Sequence, residues 1–139
     1  MPELIDPLAN LPGYLLRRAA NSMMAELATR LAVINLRVTE ATVLLLIADR
    51  IDMTSSEIGK VLDIQRANMV PLLNRLAAAD LIARRPLDRK SQAVVLTPTG
   101  FDHLNQVRVI TGQFEQDLLS RIPAQHRAHF VPALQALLG

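Results

Sequence analysis

Apolar residues recur along this chain with a helical period almost throughout, and the period changes only once. Leu15, Ala19, Met23, Leu27 and Leu31 fall at spacing four, which predicts a long amphipathic helix from about Pro12 to Ala32. After a connector at 35–38, Thr39 reads as the cap of a short helix from Glu40 to Ala48, whose VLLLI run is buried nearly all round. Thr54, with Glu57 three residues later, forms an S/T-x-x-E capping box that satisfies orphan helix amides reciprocally. Ile58, Val61 and Leu62 then share one face of a helix ending near Asp63-Ile64. Met69, Leu72, Leu73 and Leu76 mark the apolar face of the next helix, and its first residues, Gln65 to Asn68, are polar or small and face outward. The helical period stops there. Leu81 to Arg85 and Gln92 to Leu96 read as two short strands around a polar tip, 86–91. Thr97 caps another helix with Pro98 at its first position, where the missing amide costs nothing. Leu104, Val107, Thr111, Phe114 and Leu118 follow at spacing 3-4-3-4, the seam of a helix that packs lengthwise. Ile122-Pro123 breaks it, and Ala124 to Leu138 forms the last helix, with Pro132 expected to kink it.

Helix, tight turn, helix and charged hairpin make a winged helix-turn-helix. The predicted fold is therefore mostly α with a small β wing and about six helices. Residues 36–97 form the winged segment, and 1–35 and 98–139 supply flanking helices within one domain of 139 residues. Asp49 to Met53 is a candidate third strand of the wing sheet. Met1 to Gly13, interrupted by Pro2, Pro7 and Pro12, is expected to be an irregular arm and not a signal peptide. No apolar run reaches the length of a membrane span. The chain has no Cys, which excludes disulfides and thiolate metal sites and fits a cytoplasmic protein. Nothing resembles a nucleophile elbow or a phosphate-cradling Gly loop, and five glycines leave little material for one, so an enzyme is not expected.

The net charge of +2 says little about partners until its distribution is considered. From Arg66 to Lys90 there are six bases and two acids, a local +4 against −2 elsewhere. Thirteen of the fifteen bases are Arg, suited to bidentate phosphate and guanine contacts. Positive charge concentrated on a helix and a wing is what phosphate contact requires. Arg66, Ala67 and Asn68, at the start of the second helix of the motif, are placed to meet base edges, Arg suiting guanine and Asn adenine. Arg75, later in that helix, meets phosphate or caps a neighbour. Arg89 and Lys90, with Ser91, form a wing tip for the minor groove or adjacent phosphate, while Asp88 orients Arg89 or closes the turn as an Asx-type residue. Thr54, Ser55 and Ser56 put hydroxyls and amides at a helix N-terminus, a phosphate site; simple capping explains them equally well. Pro71 sits about one turn into its helix, where few carbonyls lose a partner.

The segment Asp88-Arg89-Lys90-Ser91-Gln92-Ala93-Val94-Val95-Leu96-Thr97, followed by Gly100, resembles the D-R-R-A/S-x-x-V-x-L-T wing of the multiple-antibiotic-resistance regulator (MarR) family. TSSEIGKVL and LLNRLAAADLI resemble that family at the expected distances upstream, and the likeness is strongest from about Leu36 to Gly100. Lys90 stands where a second Arg is common, Asp80 where a Gly often closes the helix, Leu87 at a commonly polar wing position, and Pro71 inside the recognition helix.

The resemblance implies a homodimer intertwined through its N- and C-terminal helices, which presents two recognition helices to a pseudo-palindromic duplex with half-sites roughly 34 Å apart. Phe130, Val131, Leu134, Leu137 and Leu138 give the last helix more apolar surface than it can easily bury alone. The implied function is transcriptional regulation by a repressor relieved by a small aromatic or anionic effector. Tyr14, Arg17, Arg18 and Asn21 are the residues that could face an effector cleft. No cofactor is expected, and His126 and His129 alone are too few for a metal site. The alternative is a winged-helix protein-interaction module without DNA binding. It would not need Arg66, Asn68 and the Arg89-Lys90 tip all outward.

Overall fold

The computed structural model describes residues 6–139, so residues 1–5 of the proline-interrupted arm lie outside the described part. The element order is α1 (Pro12–Ala32), α2 (Val38–Ala48), α3 (Ser55–Leu62), α4 (Arg66–Ala78), β1 (Ile82–Pro86), β2 (Gln92–Leu96), α5 (Pro98–Arg121) and α6 (Ala124–Leu137). That is six helices and a two-stranded antiparallel wing, with Ile82 opposite Leu96, Arg84 opposite Val94 and Pro86 opposite Gln92.

Three helices stop by the same local device. Asn35, Asp63 and Asp80 adopt left-handed backbone, with φ of 57°, 55° and 60°. After each, an amide reaches five residues back: Leu36 N–H to Leu31 O (3.2 Å), Ile64 N–H to Gly59 O (2.8 Å) and Leu81 N–H to Leu76 O (3.0 Å). This satisfies carbonyls that a helix end otherwise leaves bare. Asn and Asp tolerate that conformation better than other side-chain-bearing residues, so the chain ends these helices without glycine. Asp80, standing in the closing position of α4, is one of the three.

The helix starts divide. Thr54 Oγ1 accepts the Glu57 amide (3.2 Å) and its hydroxyl bonds the Glu57 carboxylate (3.1 Å), so α3 opens at the predicted cap. Thr97 Oγ1 accepts the Gly100 amide (2.9 Å), with Pro98 opening α5 as expected. Thr39 is not a cap: α2 begins earlier, with Arg37 as its N-cap, because Glu40 reaches back to accept the Arg37 amide (2.8 Å). The acid one position beyond Thr39 thus decides where the helix starts.

The core joins the end of α1, α2, α3, α4, the wing base and the first half of α5. Leu31, Val43, Leu44, Ile58, Leu76 and Val107 are fully buried there. Val61, expected on the inner face of α3, is 52% exposed; Ile58 and Gly59 are the residues of that helix that are buried. The third strand reduces to one bridge between Thr54 and Ala93, with Val94 N–H bonded to Met53 O (2.8 Å). It still ties the wing base to the start of α3. Pro132 lies within α6 without ending it, and no side chain of α6 is buried.

Candidate nucleic-acid interface

Between the N-terminal ends of α3 and α4 and the inner side of the wing lies an open groove of about 880 Å³. It is lined by Thr54, Ser55 and Ser56 at the start of α3, by Arg66 and Val70 of α4, and by Arg84, Arg89, Lys90 and Ser91 of the wing. Lys60, Arg66, Arg84, Arg89 and Lys90 put five bases on this groove against two acids, Asp63 and Asp88, a local balance of +3. Among the described residues none of the five is ion-paired. Unpaired charge held on one concave surface is free to meet an anion, and low-dielectric walls focus its field.

Asp88 is held by the turn itself. Its Oδ1 accepts the amides of Lys90 and Ser91, each at 2.8 Å. The Lys90 amide first, then the Ser91 side chain and amide, hold this carboxyl below the usual carboxylate range. Of its two expected roles, closing the turn is the one the geometry supports. The clasp leaves Arg89 and Lys90 projecting from the tip.

Strand alternation sorts the two remaining wing arginines. Arg84 lies on the groove and donates to Asn74 Oδ1 (3.4 Å). Arg85 turns to the opposite side, where it pairs with Asp52 in the α2–α3 loop and ties β1 to that loop. Lys60, Val70 and Arg84 belong to the groove although the sequence reading did not single them out. The available signals were strand alternation for Arg84 and one helical turn from Ser56 for Lys60.

Not every expected residue gathers in the groove. Arg66 does; Ala67 and Asn68 are exposed on α4 but outside it, turned from Arg66 by about 100° and 200° around the helix. Arg75 lies on a second, shallower cleft of about 650 Å³ between α4 and the α1–α2 junction. There its Nε stands 3.7 Å from Oε2 of the buried Glu40.

A model of the MarR family matches residues 34–91, which contain α2 to the wing tip. The whole chain superposes on CouR, a transcriptional repressor bound to a 23-mer DNA duplex, with TM-score 0.85 and 25% identity over 99% of each chain. Over residues 34–91 the chain thus matches the MarR family, and over its whole length it has the fold of MarR-family structures. It is likewise similar to a mutant MarR from E. coli in complex with operator DNA, with TM-score 0.83 and 23% identity over 97% of this chain and 100% of that one. BpsR of Bordetella bronchiseptica, whose DNA binding is regulated by 6-hydroxynicotinic acid, gives TM-score 0.82 and 23% identity over 97% of each chain. A comparison with curated protein sequences finds no match. Members of the MarR family are transcription regulators and not enzymes.

The four effector candidates sit on α1. Tyr14 donates to Asp6 (3.3 Å), Arg18 pairs with Asp6 (3.6 Å), and the guanidinium groups of Arg17 and Arg18 lie 5.9 and 5.7 Å from the Tyr14 ring centre. Asn21 is exposed. None of the four lines either cleft. Among the described residues, no three His, Asp, Glu or Cys side chains are grouped to hold a metal.

Proposed function

We propose that this chain is a dimeric, sequence-specific repressor that binds a pseudo-palindromic duplex and is released by a small aromatic or anionic ligand. The observation that carries the reading is the groove with five unpaired bases formed by α3, α4 and the wing. Backbone contacts from Arg89, Lys90, Ser91 and the Thr54-Ser55-Ser56 helix start set the register, and Arg66 with its neighbours on α4 meets base edges. Arg75, paired with Glu40, supports α4 from behind. The DNA duplexes in the complexes of CouR and E. coli MarR support this use of the fold.

Dimerisation is supported by apolar surface that the single chain leaves open. Helix α6 buries no side chain, while Leu11, Leu15, Leu16, Val131, Leu137 and Leu138 are exposed on it and around α1. Such surface is a liability in a monomer and the material of an interface. In this reading 1–35 and 98–139 join two copies, and 36–97 engages DNA. No helix among the described residues is long and apolar enough to cross a membrane, in keeping with a cytoplasmic regulator. The regulation of BpsR by 6-hydroxynicotinic acid supports an effector that shifts the population between binding and non-binding spacings of the two recognition helices. Tyr14, Arg17, Arg18 and Asn21 remain its proposed contacts, completed by the second subunit.

Selection of duplexes from a random pool at roughly 150 mM salt, with the oligomeric state measured in parallel, tests the reading. An enriched inverted repeat with half-sites about one turn apart is expected. Failure to retain any duplex, with the protein folded, would turn the assignment toward a protein-interaction module.

A further inference from the structure

Resting on the DNA-binding reading, we propose that Ala67, Val70 and Pro71 read the 5-methyl groups of adjacent thymines in the major groove. The inward side of α4 is set by Met69, Leu72, Leu73 and Leu76, all at most 3% exposed. Residues 67, 70, 71 and 74 follow one another at helical spacing on the opposite side, and all four are exposed, Val70 to 54%. The crest of the helix presented to a partner is thus apolar over three of its four positions. Asn74, the fourth, already accepts from Arg84.

A crest of this kind is costly in water and weakens the helix, because Pro71 removes an intrahelical hydrogen bond and Val70 leaves a branched side chain in solvent. Its occupant is indicated by charge: unpaired Arg66, Arg84, Arg89 and Lys90 stand beside it, a setting for a polyanion. Along the edges of bases in the major groove, the apolar feature available to such a crest is the methyl group of thymine, which Ala and other small apolar side chains contact. From 67 to 74 the crest is roughly 10 Å long, enough to span about three base pairs. The structure therefore assigns hydrogen-bond readout to the flanks, at Arg66 and Asn68, and methyl readout to the centre.

The experiment starts from the duplex enriched by selection and replaces each thymine singly with deoxyuridine, which removes the methyl group and leaves pairing and phosphates intact. Competition binding is expected to show about a fourfold loss, the worth of one buried methyl group, at two or three neighbouring positions in each half-site and none elsewhere. Val70→Ala, at an exposed position where Ala favours the helix, should abolish the loss at one of those positions and keep it at the others. Insensitivity to deoxyuridine throughout a specifically bound duplex would overturn methyl readout and leave the DNA-binding reading standing. A pattern unchanged in the Val70→Ala protein would overturn the assignment to this crest. Enrichment of no duplex would remove both readings together.

Discussion

Gly100 packs so closely on Leu81 that a β-carbon at Gly100 would sit 2.0 Å from the Leu81 carbonyl oxygen. The same oxygen accepts the Thr97 amide at 3.1 Å, and the Thr97 hydroxyl bonds the Asp80 carbonyl. The end of α4 is thereby fixed against the start of α5. Gly100→Ala must push two backbones apart and is expected to cost about 3 kcal/mol, the upper end of overpacking penalties. Gly112→Ala, in the same helix with nothing within 4 Å, should instead gain about 0.5–1 kcal/mol from helix propensity. Chemical denaturation of both variants checks the contrast, and equal stabilities would refute it.

The wing turn separates the charge of Asp88 from its acceptor. Asp88→Asn keeps an oxygen for the Lys90 and Ser91 amides and removes a negative charge from the groove. It should bind DNA at least as tightly as the parent protein. Asp88→Ala removes the same charge and also the clasp, and should bind more weakly despite the better electrostatics. Fluorescence titration of the two variants at one salt concentration distinguishes a clasp from a simple repulsive charge, which would make both variants bind more tightly.

Arg89 and Arg66 are expected to fail differently. Arg89→Ala should lower affinity for every duplex and reduce the slope of log K against log salt by roughly one unit. A loss confined to one base position would remove Arg89 from the phosphate contacts. Arg66→Ala should cost about 1–3 kcal/mol at particular base pairs and relax preference there. Equal weakening on all sequences would place Arg66 among the phosphate contacts instead.

Between α1 and α5, Arg121 bonds both oxygens of Glu26 (2.7 and 3.0 Å), and Arg30 reaches Glu26 (3.3 Å) and Asp117 (2.8 Å). Glu26 is held below its ordinary value of 4.5, chiefly by Arg121, and Asp117 below 3.8, chiefly by Arg30. A carboxylate lowered in the folded state contributes stability that is complete above its unfolded pKa and is lost as pH falls through the folded one. Stability should therefore decline as pH drops below about 4.5. Glu26→Gln should flatten that part of the profile, measured as the thermal midpoint against pH at low salt. An unchanged profile would exclude this pair as its source.

The sequence by itself determined the elements whose signals are local. Thr54 and Thr97-Pro98 mark helix starts by side chains that satisfy nearby amides, and the switch to two short strands around Asp88 marks the wing. Within the family resemblance, the same residues were enough to indicate a DNA-reading layout. Competition between neighbouring caps and the directions that side chains take were not legible. Thr39 loses the cap to Arg37 because Glu40 turns back on the Arg37 amide, and Arg75 turns toward that same buried carboxylate. Arg84 and Arg85 look alike in the sequence, yet pleating sends one to the groove and the other to Asp52. Arg66 and Asn68 are two residues apart and end on different flanks of α4. Local hydrogen-bond geometry is written in a few consecutive residues, whereas the direction of a side chain toward a groove or an ion pair depends on which surfaces the core brings together. Tertiary packing therefore decided the composition of the site.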